Sequence, residues 1–176
     1  AGEASQCPTL LYNGYGGHRI EGIGDKHVPW IHNLRNTDLA VDIDDNDCIR
    51  LMRLFNEPKG RAYLKGKGVA PALVDRLDLL GISSIANLLS CVKVARYYEM
   101  DEHACLVTVA TDSMELYGSR IEEVRLQHGE YTDLQAGLDF ETCLLGQPPD
   151  WMLELSFWVR KRMHNRKYFT WIEQKG

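Results

Sequence analysis

The feature that most constrains this chain is a helical stripe followed directly by an unbroken apolar run. Ile85, Leu88, Leu89 and Val92 recur at i, i+3, i+4 and i+7, which predicts a core-facing helix running to about Glu99. Residues 104–110 then read Ala-Cys-Leu-Val-Thr-Val-Ala, a continuous apolar segment with β-branched residues. Such a segment predicts a strand covered on both faces. Upstream, Leu39, Val41 and Ile43 alternate as in a half-buried strand. Asp44 or Asp45 can then cap a helix whose apolar face carries Ile49, Leu51, Met52 and Phe55, with Pro58 and Gly60 as its stop. Strand, helix, helix and strand in this order predict an α/β fold with crossover connections and a partly parallel sheet.

The remaining segments divide around that pattern. Residues 1–36 hold Gly14, Gly16, Gly17, Gly22 and Gly24 without periodicity and read as a shaped loop region. Residues 59–68 place Lys59, Arg61, Lys65 and Lys67 among three glycines and read as an exposed loop or insertion. Ser83 or Ser84 stands where the cap of the striped helix belongs. Helices are expected over 115–127, over 132–145 with Gly146 as its stop, and from about Trp151 to Met163 after Pro148-Pro149-Asp150.

With 44% hydrophobic and 26% charged residues over 176 positions, the chain has the composition of a globular domain. Its net charge of -5 offers no global attraction to nucleic acid or to an anionic membrane, and neither is an expected partner. No apolar run approaches the ~20 residues that span a bilayer. The five cysteines are irregularly spaced, with Cys91 and Cys105 in segments that read as buried, the pattern of reduced thiols. A cytoplasmic location is expected.

Several constellations fail as sites. The glycines at 14–17 and 22–24 lack the strand-to-helix context of a nucleotide fingerprint. Asp42 to Asp47 resembles a calcium loop, but Asp47 and Arg53 stand where glycine and glutamate are required. His27 and His32, five apart around Pro29, do not share a helical face, and no metal-ligand pattern supports them. Arg160, Lys161, Arg162, Arg166 and Lys167 lie among Phe157, Trp158, Tyr168, Phe169 and Trp171. They read as a helix with a basic face packed on an acidic body, or as an interface with protein or RNA.

Three separated signatures remain: His18-Arg19-Ile20-Glu21-Gly22-Ile23-Gly24 with Val28-Pro29, Gly81-Ile82-Ser83-Ser84 with Ala86, and residues 106–111 ending in Asp112-Ser113. In order and spacing, over about residues 7–125, they resemble the C-terminal part of the cysteine synthase-like, fold type II (tryptophan synthase beta-like) pyridoxal-phosphate-dependent enzymes. Ile85 stands where that family usually has glycine, and Ala110 replaces a common proline. The resemblance implies pyridoxal 5'-phosphate as cofactor, with the Thr111 hydroxyl at the pyridine nitrogen and Gly22, Ile23 and Gly24 admitting the ring closely. It implies a lyase or synthase acting at the β-carbon of a cysteine- or serine-like amino acid, and a homo-oligomer such as a dimer.

The fold implied is a partial three-layer open sheet with helices on both faces plus a helical C-terminal extension. Residues 1–36 would lead into the cofactor domain, 37–128 would form the C-terminal part of its α/β body, and 129–176 the aromatic-rich extension. The family's Schiff-base lysine segment has no counterpart here, and Lys26, Lys65 and Lys67 lack its context. The expectation is therefore a chain inactive alone, completed by an N-terminal portion or second polypeptide. The rival expectation is a non-catalytic α/β interaction domain that uses the basic, aromatic tail.

Overall fold

The computed structural model describes residues 1–174. Its centre is β2 (Leu39–Ile43), which pairs parallel with β1 (Gly2–Ala4) on one side and antiparallel with β3 (Met152–Glu154) on the other. Alternation puts Leu39, Val41 and Ile43 into one apolar cluster and Ala40 into a second. The first cluster is closed by α1 (Asp45–Asn56) and α4 (Ile82–Tyr97), which supply Leu51, Met52, Ile82, Ile85 and Leu89. The second is closed by Leu10, Leu11 and Val28 of the N-terminal segment and by Met163 of α7 (Phe157–Tyr168). The fold is thus α/β, with helices around a small mixed sheet.

Local chemistry explains the elements. Asp44 caps α1 by accepting from the Asn46 amide at 2.7 Å, as the sequence predicts. The 132–145 helix is real: Thr132 and Gln135 form a reciprocal capping box for α6 (Asp133–Asp139), and the chain continues as a wider π turn to Leu145.

Besides the half-buried reading of residues 39–43, all five of which are buried, four expectations are corrected. Residues 59–68 are not a loop, because Pro58 opens α2 (Pro58–Gly66). Gly60 is needed there, since a Cβ would strike the Leu54 backbone. Its cations pair outward: Lys59 with Asp133, Lys67 with Glu141, and Arg61 and Lys65 both with Asp75. The last helix starts at Phe157 and not at Trp151, since residues 152–154 are drawn into the sheet and Ser156 supplies the cap. Ser83 and Ser84 do not cap α4; Gly81 holds that position without a side-chain bond.

The fourth correction concerns the apolar run. Residues 104–110 form no strand and are exposed throughout, with Val107 at 89% and Val109 at 67%. No strand lies beside them among the described residues, so their backbone has no ladder to join. Cys105 is accordingly exposed and not packed. Between α4 and the run's far end the chain crosses back to α4, then enters α5 (Gly118–His128). Short helical turns at Pro71–Val74 and Leu77–Leu79 link α2 to α4, and the former, α3, buries Val74.

Candidate functional site

Two of the three signatures meet at one hub, the Asp112 carboxylate, and Gly22 and Ile23 of the first line the cavity beside it. Its Oδ1 accepts from Ser83 Oγ at 3.0 Å, Ser84 Oγ at 3.2 Å and Thr111 Oγ1 at 3.2 Å, while Oδ2 accepts from the Tyr117 hydroxyl. Ser83 Oγ also lies 2.6 Å from Thr111 Oγ1, and the Thr111 amide donates to Ser84 Oγ at 3.0 Å. The Gly81 amide donates to the Asp112 carbonyl at 2.9 Å. Gly81 has to be glycine because a Cβ would run into the Asp112 carboxylate. The serines at the start of α4 are therefore spent on the Thr111-Asp112 turn.

This corner borders a cavity of about 310 Å³ lined by Gly22, Ile23, Ser83, Thr111, Asp112 and Tyr117, among others. Gly22 adopts φ +87°, which glycine tolerates and L side chains rarely do, and a Cβ there would stand 3.8 Å from Ser83. The glycine thus leaves open the side of the cavity facing the Ser83-Thr111 hydroxyls. Gly24 sits apart from this cavity. At φ +94°, its carbonyl meets His18 Nε2 at 3.0 Å, and a Cβ would strike the imidazole. It lines an adjoining cleft of about 450 Å³ with Glu3, Leu10, His27 and His32, and Gly2, Gly22 and Ile23 border both spaces.

Burial opposes ionisation of Asp112, but the donors from Tyr117, Ser83, Ser84 and Thr111 outweigh it and hold the carboxyl below its ordinary range. Tyr117 moves the other way, through burial and its bond to Asp112. At the rim, Arg120 pairs with Glu21 and Glu123. The cavity lining holds two carboxylates, Glu21 and Asp112, and no Lys or Arg side chain. It suits a planar, neutral or cationic ring edge meeting hydroxyls. A phosphate group would need donors from beyond this cavity.

Sequence reasoning named Thr111, Gly22 and Ile23, which line one cavity in the structure, and Gly24, which lies next door. It missed Asp112 and Tyr117 and assigned Ser83-Ser84 only to a cap. The available signal was two adjacent serines facing a Thr-Asp pair, a surplus of hydroxyls that an apolar helix start does not require.

Other candidate groups are committed elsewhere. Asp44 caps α1, Asp45 pairs with Arg19, and Asp47 accepts from Gln147. No cluster of three His, Cys, Asp or Glu among the described residues could hold a metal ion. No helix among the described residues is long and apolar enough to cross a membrane. The basic face of α7 docks on carbonyls of the N-terminal segment: Arg162 on Leu10 and Leu11, Arg166 on Thr9, Lys167 on His32, and Arg160 on Thr37 with Asp38. No protein-family model, curated protein or solved structure matches the chain.

Proposed function

We propose that this chain is the C-terminal portion of a pyridoxal-phosphate-dependent lyase or synthase acting at the β-carbon of a cysteine- or serine-like amino acid. The observation that supports this reading is the gathering of Gly22, Ile23, Ser83 and Thr111, distant in sequence, around one cavity with a glycine-opened wall. Bound there, the cofactor would supply an electron sink for cleavage at the substrate β-carbon. Thr111, whose hydroxyl proton rests on Asp112, would turn it to the pyridine nitrogen, and Gly22 and Ile23 would allow the ring to approach. Asp112 would act through its neighbours, fixing the Ser83 and Thr111 hydroxyls before the ring arrives.

In this reading the cofactor-anchoring lysine and the phosphate-gripping loop come from a further polypeptide segment. Two features support that division: the cavity lining has no cation for a phosphate, and residues 104–110 lie outside any sheet and exposed with an apolar sequence suited to a sheet interior. Paired with such a segment, 104–110 would become a strand of a three-layer sheet. The assembled protein would be a cytoplasmic homo-oligomer.

The test joins the chain to a lysine-bearing segment and measures visible absorption of bound cofactor and release of sulfide or acetate from cysteine or O-acetylserine. Both signals are expected, and Thr111→Ala is expected to shift the absorption and weaken cofactor binding. Absence of both signals from the folded assembly would sink the proposal.

A further inference from the structure

Separate from the Thr111 cavity lies a cleft that the proposed lyase chemistry leaves unused. It has a volume of about 320 Å³ and runs between α1, α5 and α6. Asn46, Arg50 and Arg53, at i, i+4 and i+7, present one face of α1 to it, and Arg19 joins from the N-terminal segment. Ile49 and Val124 give it an apolar floor, and Leu138, half exposed, stands on the rim.

The charges in this lining are unbalanced. Three guanidiniums face one carboxylate, Asp139, in a chain whose net charge is -5. Asp45 and Glu57 hold Arg19 and Arg53 at 3.3 and 2.6 Å but do not line the cleft. Arg50 is fixed by Asp139 at 2.7 Å and by Thr142 at 3.0 Å. Arg53 also donates to the Gly129 carbonyl at 2.8 Å and lies 4.8 Å over the Tyr131 ring. These bonds use Nε or Nη2 in every case, so each of the three arginines keeps Nη1 without a hydrogen-bond partner among the described residues. Arg50 and Arg53 are held through Nε and Nη2 with the Nη1 end of each guanidinium unused, and Arg19 is held through Nη2 with Nη1 unused, an arrangement suited to carboxylate or phosphate oxygens.

We propose that this cleft binds a small organic dianion, a phosphate ester or a dicarboxylate. Its charged end sits on Arg19, Arg50 and Arg53, and its apolar body lies over Ile49, Val124 and Leu138. The volume sits near the lower end of the ~300–1,000 Å³ typical of ligand pockets, which limits the ligand to metabolite size. Because the site needs no cofactor and shares no lining residue with the Thr111 cavity, its test is independent of the proposed lyase activity.

Calorimetric titration of the chain with phenyl phosphate, succinate and neutral benzyl alcohol separates the sources. Saturable binding of phenyl phosphate alone assigns a phosphate ester, and of succinate alone a dicarboxylate; benzyl alcohol should not bind. Leu138→Glu places a like charge at the half-exposed rim without touching an ion pair and should abolish binding. Arg50→Gln should weaken it about tenfold or more, as expected for loss of a charge-assisted bond. Lys161→Gln, which changes the net charge equally at a distant helix, should leave affinity unchanged. The proposal falls if neither anion binds the folded chain, if Leu138→Glu binds as tightly as the parent, or if Lys161→Gln weakens binding as much as Arg50→Gln.

Discussion

Two segments of similar length exchange the environments that their sequences suggest. Residues 39–43 alternate the large apolar Leu39, Val41 and Ile43 with Ala40 and Asp42, as in a strand with one wet face, yet all five are buried. Residues 104–110 are apolar almost throughout, as in a strand with no wet face, yet all are exposed. The difference is in the neighbours. β2 has β1 and β3 beside it, α1 and α4 over one face, and α7 with the N-terminal segment over the other. Residues 104–110 meet α4 through single side-chain bonds, Cys91 with Thr108 and Asn87 Nδ2 on the Val109 carbonyl, and through the Asp112 hub beyond their far end. Hydrophobic pattern states what a segment can tolerate, and partners decide what it becomes.

The sharpest way to break the comparison is to truncate one residue in each segment. Ile43 is fully buried, and Ile43→Ala should cost about 2–5 kcal/mol in urea unfolding, from lost burial plus the cavity left behind. Val107 is 89% exposed, and Val107→Ala should stay within about 0.5 kcal/mol. Equal costs would mean that 104–110 is packed in solution. Once a further strand is supplied, as in the proposed assembly, the Val107 cost should rise toward the Ile43 value.

A second test concerns the polar residue that β2 carries inward. Asp42 is fully buried, lies opposite Glu3 in the parallel register, and shares a side-chain hydrogen bond with the Glu3 carboxyl. Burial first, and the Glu3 carboxyl second, push its pKa up from 3.8 to about 9, against the pull of Lys93. The folded state therefore keeps a proton that the unfolded state releases, so this group's contribution is full below about pH 4 and is lost as pH rises toward 9. The slope is at most about 1.4 kcal/mol per pH unit. Asp42→Asn cannot ionise, and its stability advantage over the parent should grow from pH 5 to pH 8 in denaturant titrations. Parallel pH profiles for the two proteins would show that Asp42 is ionised in the fold.

Much of the frame was legible in the chain. The β2 alternation, the Asp44 cap, the α4 stripe and the Thr132-to-Gly146 helix all depend on contacts within a few residues, where pattern and capping chemistry speak directly. What could not be read depended on distant partners. β1 is three residues long and exists because β2 lies beside it, and residues 152–154 become a strand for the same reason. α2 was hidden because its cations and glycines imitate a loop, while the ion pairs that occupy those cations come from Asp75, Asp133 and Glu141. The site divides in the same way. Thr111, Gly22 and Ile23 belong to signatures visible in sequence, whereas Asp112's role emerges only when the start of α4 is brought against residues 111–112.

That contact gives the last and smallest prediction. Asp112 is the carboxylate at which side chains from both the α4 start and the 111–117 turn meet. Each bond to a charged acceptor is stronger than a neutral one, but the hub is partly exposed and solvent screens it, so Asp112→Ala should cost about 1–2 kcal/mol overall. Its local effect should be larger than its global one. The Thr111 and Gly81 amides, now bonded to Ser84 and the Asp112 carbonyl, should exchange hydrogen faster, while amides of β2 keep their protection. The pH dependence runs opposite to that of Asp42: a carboxyl held below 3.8 stabilises the fold above that pH and loses its contribution as pH falls through the folded value. The parent should therefore converge on Asp112→Ala in acid. Unchanged exchange at Thr111 and Gly81 in the variant would show that the run is held to α4 by something other than this carboxylate.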